Sequence, residues 1–348
     1  MKPRIIEYSD MNKEQWDEFV FSNRGGYAYY LYDVIALDRW INDKNRSFCI
    51  WDDDNKEIVL IAQLHLEKHT KNGETYYRLH SRWGFVIKDN LTKRENQKVC
   101  DEYKKHINEY YEQYDIRDFD SCTPPLTEEN WPGRECINPL MKLGFAPGVR
   151  YTWIVNLNKS EEELLAHCEQ TTRQAIRKYS SSGRYQIIEA KGTREEFEIY
   201  QRLHEETYTR TGGKDIIIYK EYNENIVLNL VPKGRSRVFF LKDTEENAIV
   251  ADVAILIYKN TAYYWWGASV NDKEIGINKY LLWKSMMTVS RDYFTKSKME
   301  NIMEPESFYF ETGGAYPHLK YGKSKGLNDY KKCFGCKLHA IYTGNYVN

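Results

Sequence analysis

The feature that most narrows the fold of this chain is an internal echo. Near the C-terminus, Phe310-Glu311-Thr312-Gly313-Gly314 runs on to Gly326-Leu327-Asn328-Asp329-Tyr330-Lys331-Lys332-Cys333-Phe334-Gly335. The pattern predicts a strand ending in a Gly-Gly turn, a short basic and aromatic helix, and a closing strand. Met141-Lys142-Leu143-Gly144-Phe145, followed by a strand from Tyr151 to Leu157, has the same order of parts. A second echo sets Arg82-Trp83-Gly84 against Trp265-Trp266-Gly267, each closing the third strand of a run. A repeated order of parts implies one module used twice.

The rest of the chain fits that reading. The first half predicts a helix near Asn12 to Phe21, then strands at Phe48–Trp51, Ile58–Leu66 and Thr75–Trp83, separated by polar turns. The stretch Thr92 to Tyr114 carries Val99, Tyr103, His106, Ile107 and Tyr110 at helical spacing, and Ile116–Cys122 reads as a strand stopped by Pro124-Pro125. The second half predicts strands at Val238–Leu241, Ile249–Tyr258 and Ala262–Ser269, a helix from Ile277 to Tyr293 and a strand at Phe308–Glu311. Between the halves Ser160 and Glu163 form a capping-box pattern. One helix is expected beyond it, with Leu164, Cys168, Ala175 and Tyr179 on its apolar face and Ser180-Ser181-Ser182-Gly183 at its end. A strand at Tyr185–Ala190 and a helix at Arg194–Thr209 follow. The expected class is α/β, with two domains at 1–158 and 159–348, each a mixed, mainly antiparallel sheet flanked by helices.

Composition removes several function classes. With 348 residues, each domain has enough chain for its own core. A net charge of −1 provides no global field for nucleic acid, so DNA is not an expected partner and any RNA contact must be local. No run of 18 apolar residues is present, so no membrane span is expected, and the N-terminus lacks the apolar core of a signal peptide. Seven cysteines at scattered positions suit reduced thiols and a cytoplasmic setting. Cys333 and Cys336 form a C-x-x-C without the two further ligands zinc needs, so no metal is expected.

Three stretches carry a resemblance to a known family. They are Val155-Asn156-Leu157 through Ser160–Leu164 to Thr172-Arg173-Gln174-Ala175-Ile176-Arg177-Lys178, then Glu205-Glu206-Thr207-Tyr208-Thr209-Arg210-Thr211-Gly212, and the tail from Phe310 to Gly335. Their order and spacing resemble the FemA/FemX-like (FemABX) non-ribosomal peptidyltransferases, and the doubled module resembles the GNAT acyltransferase fold. The resemblance implies two tandem GNAT-like domains. It implies transfer of an amino acid from aminoacyl-tRNA to an amine of a cell-wall (peptidoglycan) precursor in the cytoplasm, with no cofactor beyond that co-substrate. Tyr330-Lys331 stands where the family has Phe-Lys, and Glu311 where it has Asp. In the first domain Trp40 is kept, but the family's Gln-Ser and lysine are not, unless Lys44 substitutes.

The resemblance places Lys331, Tyr330 and Glu311 as catalytic candidates. Lys331 would stabilise an oxyanion or the ribose-phosphate end of the donor, and Tyr330 would wall the pocket or relay a proton. Arg210 is the next candidate, for a phosphate or carboxylate, though it reads equally as a solvated arginine at a helix end. Arg173 and Arg177 read first as a solvated face and second as a phosphate patch; Trp40, Tyr264 and Trp266 are expected to contact substrate. His204 reads as a structural histidine. Two alternatives stay open. An acyl-CoA-dependent N-acyltransferase would act on an amino sugar or polysaccharide precursor, but Asn271–Tyr280 has a single glycine and two acids where a pyrophosphate loop would lie. A non-catalytic binding module is the other.

Overall fold

The computed structural model describes residues 1–35, 45–125, 138–211, 220–270, 275–299 and 307–347. The chain packs as two units, Met1–Arg150 with Ala340–Asn348, and Tyr151–His339.

The first unit contains β1 (Pro3–Glu7), α1 (Lys13–Ser22), β2 (Phe48–Asp52), β3 (Glu57–Ala62), β4 (His65–Lys71), β5 (Glu74–Ser81), β6 (Phe85–Ile87), α2 (Lys93–Gln113), β7 (Ile116–Cys122) and the start of β8 (Phe145–Asn156). Asn12 caps α1, and Thr92 and Glu95 cap α2 reciprocally, which satisfies otherwise orphaned N–H groups. The strand expected over Ile58–Leu66 is broken at Gln63-Leu64. β3 pairs with β2 and β6, whereas β4 pairs with β5. Val99, Tyr103 and Ile107 of α2 bury against Phe48, Leu60, Leu79 and Phe119, the core that the helical spacing foretold.

The second unit contains α3 (Glu161–His167), α4 (Gln170–Ser182), β9 (Tyr185–Glu189), α5 (Arg194–Thr211), α6 (Lys220–Glu224), a π-helical turn at Asn225–Leu230, β10 (Ser236–Asp243), β11 (Ala248–Tyr258), β12 (Thr261–Ser269), α7 (Ile277–Met299), β13 (Tyr309–Ala315), α8 (Lys323–Lys332) and most of the run leading to β14 (Lys337–Tyr346). The sheet order within it is β8-β13-β12-β11-β10-β9. Only β12 and β13 are parallel neighbours, and β8 runs antiparallel to β13. The single helix expected after Ser160 is two helices, because Cys168 and Glu169 take extended backbone between them. The Ser160–Glu163 capping box is present, and Gly183 ends α4 at φ 67°. Leu164, Cys168, Ala175 and Tyr179 still share one core, with Trp283 and Met286 of α7 and Phe310 of β13.

The division of the chain differs from the one expected at 158/159. β8 passes from one unit to the other after Arg150, and Ala340–Asn348 belongs to the first unit. The reason is pairing: Thr343–Asn345 of β14 is hydrogen-bonded to Asp120–Cys122 of β7. A second correction concerns the Gly-Gly turn. Gly313 and Gly314 lie inside β13, which runs on to Ala315. Thr312 is an extra residue there, because Glu311 faces Ile154 and Gly313 faces Trp153.

Candidate active site

The second unit has a split in its sheet. β12 and β13 pair only at Thr261↔Tyr309, Ala262↔Phe310 and Tyr263↔Glu311. Beyond that point β12 stays on β11 as far as Ser269, and β13 stays on β8 as far as Ala315. The facing edges of the two strands therefore diverge, and their peptide groups are unsatisfied by each other. α8 lies over this point: the Thr312 hydroxyl donates to the Lys331 carbonyl at 2.9 Å.

Lys331 projects onto Gly313. A Cβ at that glycine would stand 2.9 Å from Lys331 Nζ, 3.4 Å from its Cε and 3.8 Å from the Tyr263 hydroxyl. Gly313 also has φ 100°, which side-chain-bearing residues rarely adopt. Two independent requirements thus meet at one glycine. Burial pulls the Lys331 pKa below the ordinary lysine value, and the Glu311 carboxylate pushes back toward the charged form. Glu311 is buried, and its Oε1 accepts a 2.6 Å hydrogen bond from Thr152 Oγ1 of β8. The result is an ammonium held in a desolvated corner, opposed by one carboxylate.

The neighbouring wall is phenolic. Tyr330 packs edge-on against Phe334 and near Tyr264, with ring centroids 6.2 Å apart in the latter pair. Its hydroxyl donates to the Asn278 carbonyl at 3.2 Å, at the start of α7. Burial raises both phenols, so Tyr264 and Tyr330 stay protonated. Gly267 makes room for this wall, since a Cβ there would come within 2.7 Å of the Tyr264 hydroxyl.

The structure brings Lys331, Glu311, Tyr330 and Tyr264 together and leaves the other candidates apart. Trp266 lies on the opposite face of the sheet from Tyr264. Trp265 is an extra residue opposite β11, because Ala254 faces Trp266 and Ile255 faces Tyr264. That bulge turns both tryptophans toward Tyr222, at 5.5 and 6.2 Å. Arg210 is exposed at the end of α5 and donates to the Ser269 carbonyl at 2.8 Å, beside Thr207, which bonds the same carbonyl. Arg173 is committed to the carbonyls of Cys168 and Ala166 at the end of α3. Arg177 is exposed on α4. Trp40 and Lys44 lie outside the described residues. Sequence reasoning missed Tyr263 and Thr152. The available signal was register: Tyr263 pairs with Glu311, and same-face neighbours in paired strands touch.

Two other polar groups in this unit have structural settings. His204 Nε2 lies 3.1 Å from Asp252 Oδ1, both buried, with Tyr200 at 4.1 Å from the imidazole ring. Burial raises the Asp252 pKa, and His204 opposes it. Cys168, Cys333 and Cys336 gather behind α8; burial pushes Cys168 and Cys336 up to about 12, far from thiolate reactivity at neutral pH. No group of three or more His, Cys, Asp or Glu suited to a metal ion occurs among the described residues, and no described helix is long and apolar enough to cross a membrane.

Comparison with known proteins agrees with the geometry. Residues 166–295 match a family model described as acetyltransferase (GNAT) domain. No curated protein sequence matches the chain. Among solved structures, FemX is similar at TM-score 0.69 and 16% identity, covering 100% of this chain and 98% of that one. L-PGS from Bacillus licheniformis is similar at TM-score 0.56 and 12% identity, covering 96% and 91%. The C-terminal domain of a putative lysylphosphatidylglycerol synthetase from Agrobacterium fabrum is similar at TM-score 0.54 and 8% identity, covering 96% and 92%. The chain has a FemX-like fold of the GNAT class.

Proposed function

We propose that the protein is a Fem-type aminoacyltransferase. It moves an amino acid from the acceptor end of an aminoacyl-tRNA to an amine of a peptidoglycan precursor, in the cytoplasm where charged tRNA is made. The observation that carries this reading is the half-buried Lys331 ammonium at the mouth of the β12–β13 split, placed over Gly313 and opposed by Glu311. The likeness to FemX and to a putative lysylphosphatidylglycerol synthetase supports an aminoacyl donor.

The chemistry needs few groups. The acceptor amine attacks the ester carbonyl, a C–N bond forms, and the C–O bond to the ribose breaks. The amine gives up a proton and the leaving ribose oxygen takes one. Negative charge gathers first on the carbonyl oxygen and then on the leaving oxygen. A preorganised ammonium in a desolvated corner stabilises that charge far better than water does. Lys331 fills this role, and its lowered pKa also suits it to hand a proton to the leaving oxygen. Glu311 fixes the ammonium in place and is itself held by Thr152. Tyr330 and Tyr264 wall the donor pocket, and the open edges of β12 and β13 offer peptide groups to an extended acyl or peptide segment.

A second reading has its own support, because the family model matched at 166–295 is that of an acetyltransferase domain. In it the donor is an acyl-CoA and the acceptor an amino sugar. One assay separates the two. Purified protein is given a pool of labelled aminoacyl-tRNAs or labelled acetyl-CoA, each with a cell-wall precursor extract. Label transferred from tRNA by the native chain and not by Lys331→Ala supports the Fem-type reading. Label transferred only from acetyl-CoA overturns it, and transfer from neither points to a binding module.

A further inference from the structure

The first unit contains a cavity that the proposed chemistry does not use. It has a volume of about 670 Å3 and lies between the end of β1, the residues leading into β2 and the C-terminal half of α2. Its lining includes Glu7, Arg46, His106, Glu109, Tyr110 and Tyr114. The volume is in the range of small-molecule sites.

His106 is the central group. Its side chain is 10% exposed, and its ring is clasped edge-on by Phe48 at 4.6 Å and Tyr110 at 5.2 Å. Its Nδ1 lies 3.1 Å from Glu109 Oε2. A carboxylate only accepts, so Nδ1 donates to Glu109, and in the neutral ring that tautomer leaves a lone pair on Nε2. That Nε2 has no hydrogen-bond partner among the described residues, and Glu7 Oε1, at 3.8 Å, is too distant to be one. Buried polar atoms without a partner are rare and call for an occupant. Here the cavity gathers acceptors, Nε2 and the Glu7 carboxylate, beside tyrosine rings. That set selects an ammonium, which donates to both acceptors and lies well against an aromatic face. Arg46, half-buried and near enough to act electrostatically on both Glu7 and Tyr110, provides the complementary cation for a carboxylate.

We propose that this cavity is a binding site for a free α-amino acid, with its ammonium between His106 Nε2 and Glu7, its carboxylate at Arg46 and its side chain along Tyr110 and Tyr114. The site lies within the first unit, and the proposal does not depend on the reaction assigned to the second.

The test is a calorimetric titration of the full chain with a panel of free L-amino acids, each beside its N-acetyl and its amide derivative. At least one free amino acid is expected to bind saturably at one site, with both blocked derivatives at least about tenfold weaker, the effect of losing one charge-assisted contact. Glu7→Gln and Arg46→Ala are expected to weaken binding about tenfold each without lowering the melting temperature, since both side chains are partly exposed. Lys331→Ala leaves this binding unchanged. The proposal is overturned if no amino acid binds, if the blocked derivatives bind as well as the free one, or if binding is lost in Lys331→Ala and kept in the two first-unit variants. That last result would place the amino acid in the β12–β13 split instead.

Discussion

Both units place a long helix between two parallel strands and bury a carboxylate on the second strand, yet they treat that carboxylate differently. In the first unit Asp120 pairs with His80 across β5 and β7, and in the second Glu311 pairs with Tyr263 across β12 and β13. Asp120 is bonded by Arg78 at 2.5 Å and by His80 at 2.9 Å. Glu311 has Thr152 and the pull of a lysine whose own pKa is lowered. The helical turns that follow diverge in the same way. Gly144 and Gly335 both end their turns at positive φ, 97° and 77°. Counting back from these glycines, the position of Lys331 is taken in the first unit by Leu140, which is fully buried. One unit neutralises its carboxylate and has a buried hydrocarbon side chain at the matching position of its turn. The other keeps an ammonium there that burial disfavours, a charge that costs stability, as the role proposed for Lys331 requires.

The largest effect expected to test this contrast is that of Lys331→Met. Turnover should fall by about a hundredfold to a thousandfold, the usual loss when one oxyanion-stabilising donor is removed. Melting temperature should hold or rise, because a desolvated ammonium is replaced by a hydrocarbon of similar length. Loss of stability together with activity would make Lys331 a structural residue. The lowered pKa adds a pH signature. If the ammonium is the working form, transfer declines as pH rises through a value below the ordinary 10.5, and Lys331→Arg moves that limb upward.

Gly313→Ala is the next largest. The added methyl meets Lys331 Nζ at 2.9 Å on a backbone of φ 100°. We expect a loss of about 1–3 kcal/mol in stability from strain, together with a larger fall in kcat than in KM as the ammonium is displaced. Gly183→Ala is the control, since it shares a positive φ of 67° but has open space around it. It should cost stability alone.

Much of this was legible in the sequence, for identifiable reasons. Strands and long helices followed from periodicity, and the cap at Ser160 from side-chain chemistry, because both are local. The expected Gly-Gly turn is strand instead, because Gly313 and Gly314 pair with Trp153 and Thr152 of β8, and the local dipeptide does not encode that pairing. Tyr264 and Trp266 were both expected at the substrate, but the extra residue Trp265 puts them on opposite faces, and a bulge of this kind leaves no local signal. The break at Cys168-Glu169 was hidden by an apolar spacing that holds across both helices. The return of Ala340–Asn348 to the first unit is long-range pairing, which no local pattern encodes.

The smallest effect expected is that of Asp120→Asn, and it tests the other half of the contrast. Burial works to raise the Asp120 pKa, but His80 and Arg78 outweigh it and hold the carboxyl below its ordinary 3.8. A carboxylate with a lowered folded-state pKa contributes stability that is present above the unfolded value and lost as pH falls through the folded one. The first unit should therefore lose this contribution only below about pH 3.8, and Asp120→Asn should flatten the stability profile in that acidic window. At neutral pH the variant should lose about 1–2 kcal/mol, since hydrogen bonds to a charged acceptor weaken but do not vanish. Transfer in the second unit should be unchanged. A fall in turnover comparable to that of Lys331→Met would mean that both carboxylates serve the reaction, and the contrast between a stabilising unit and a reactive one would be lost.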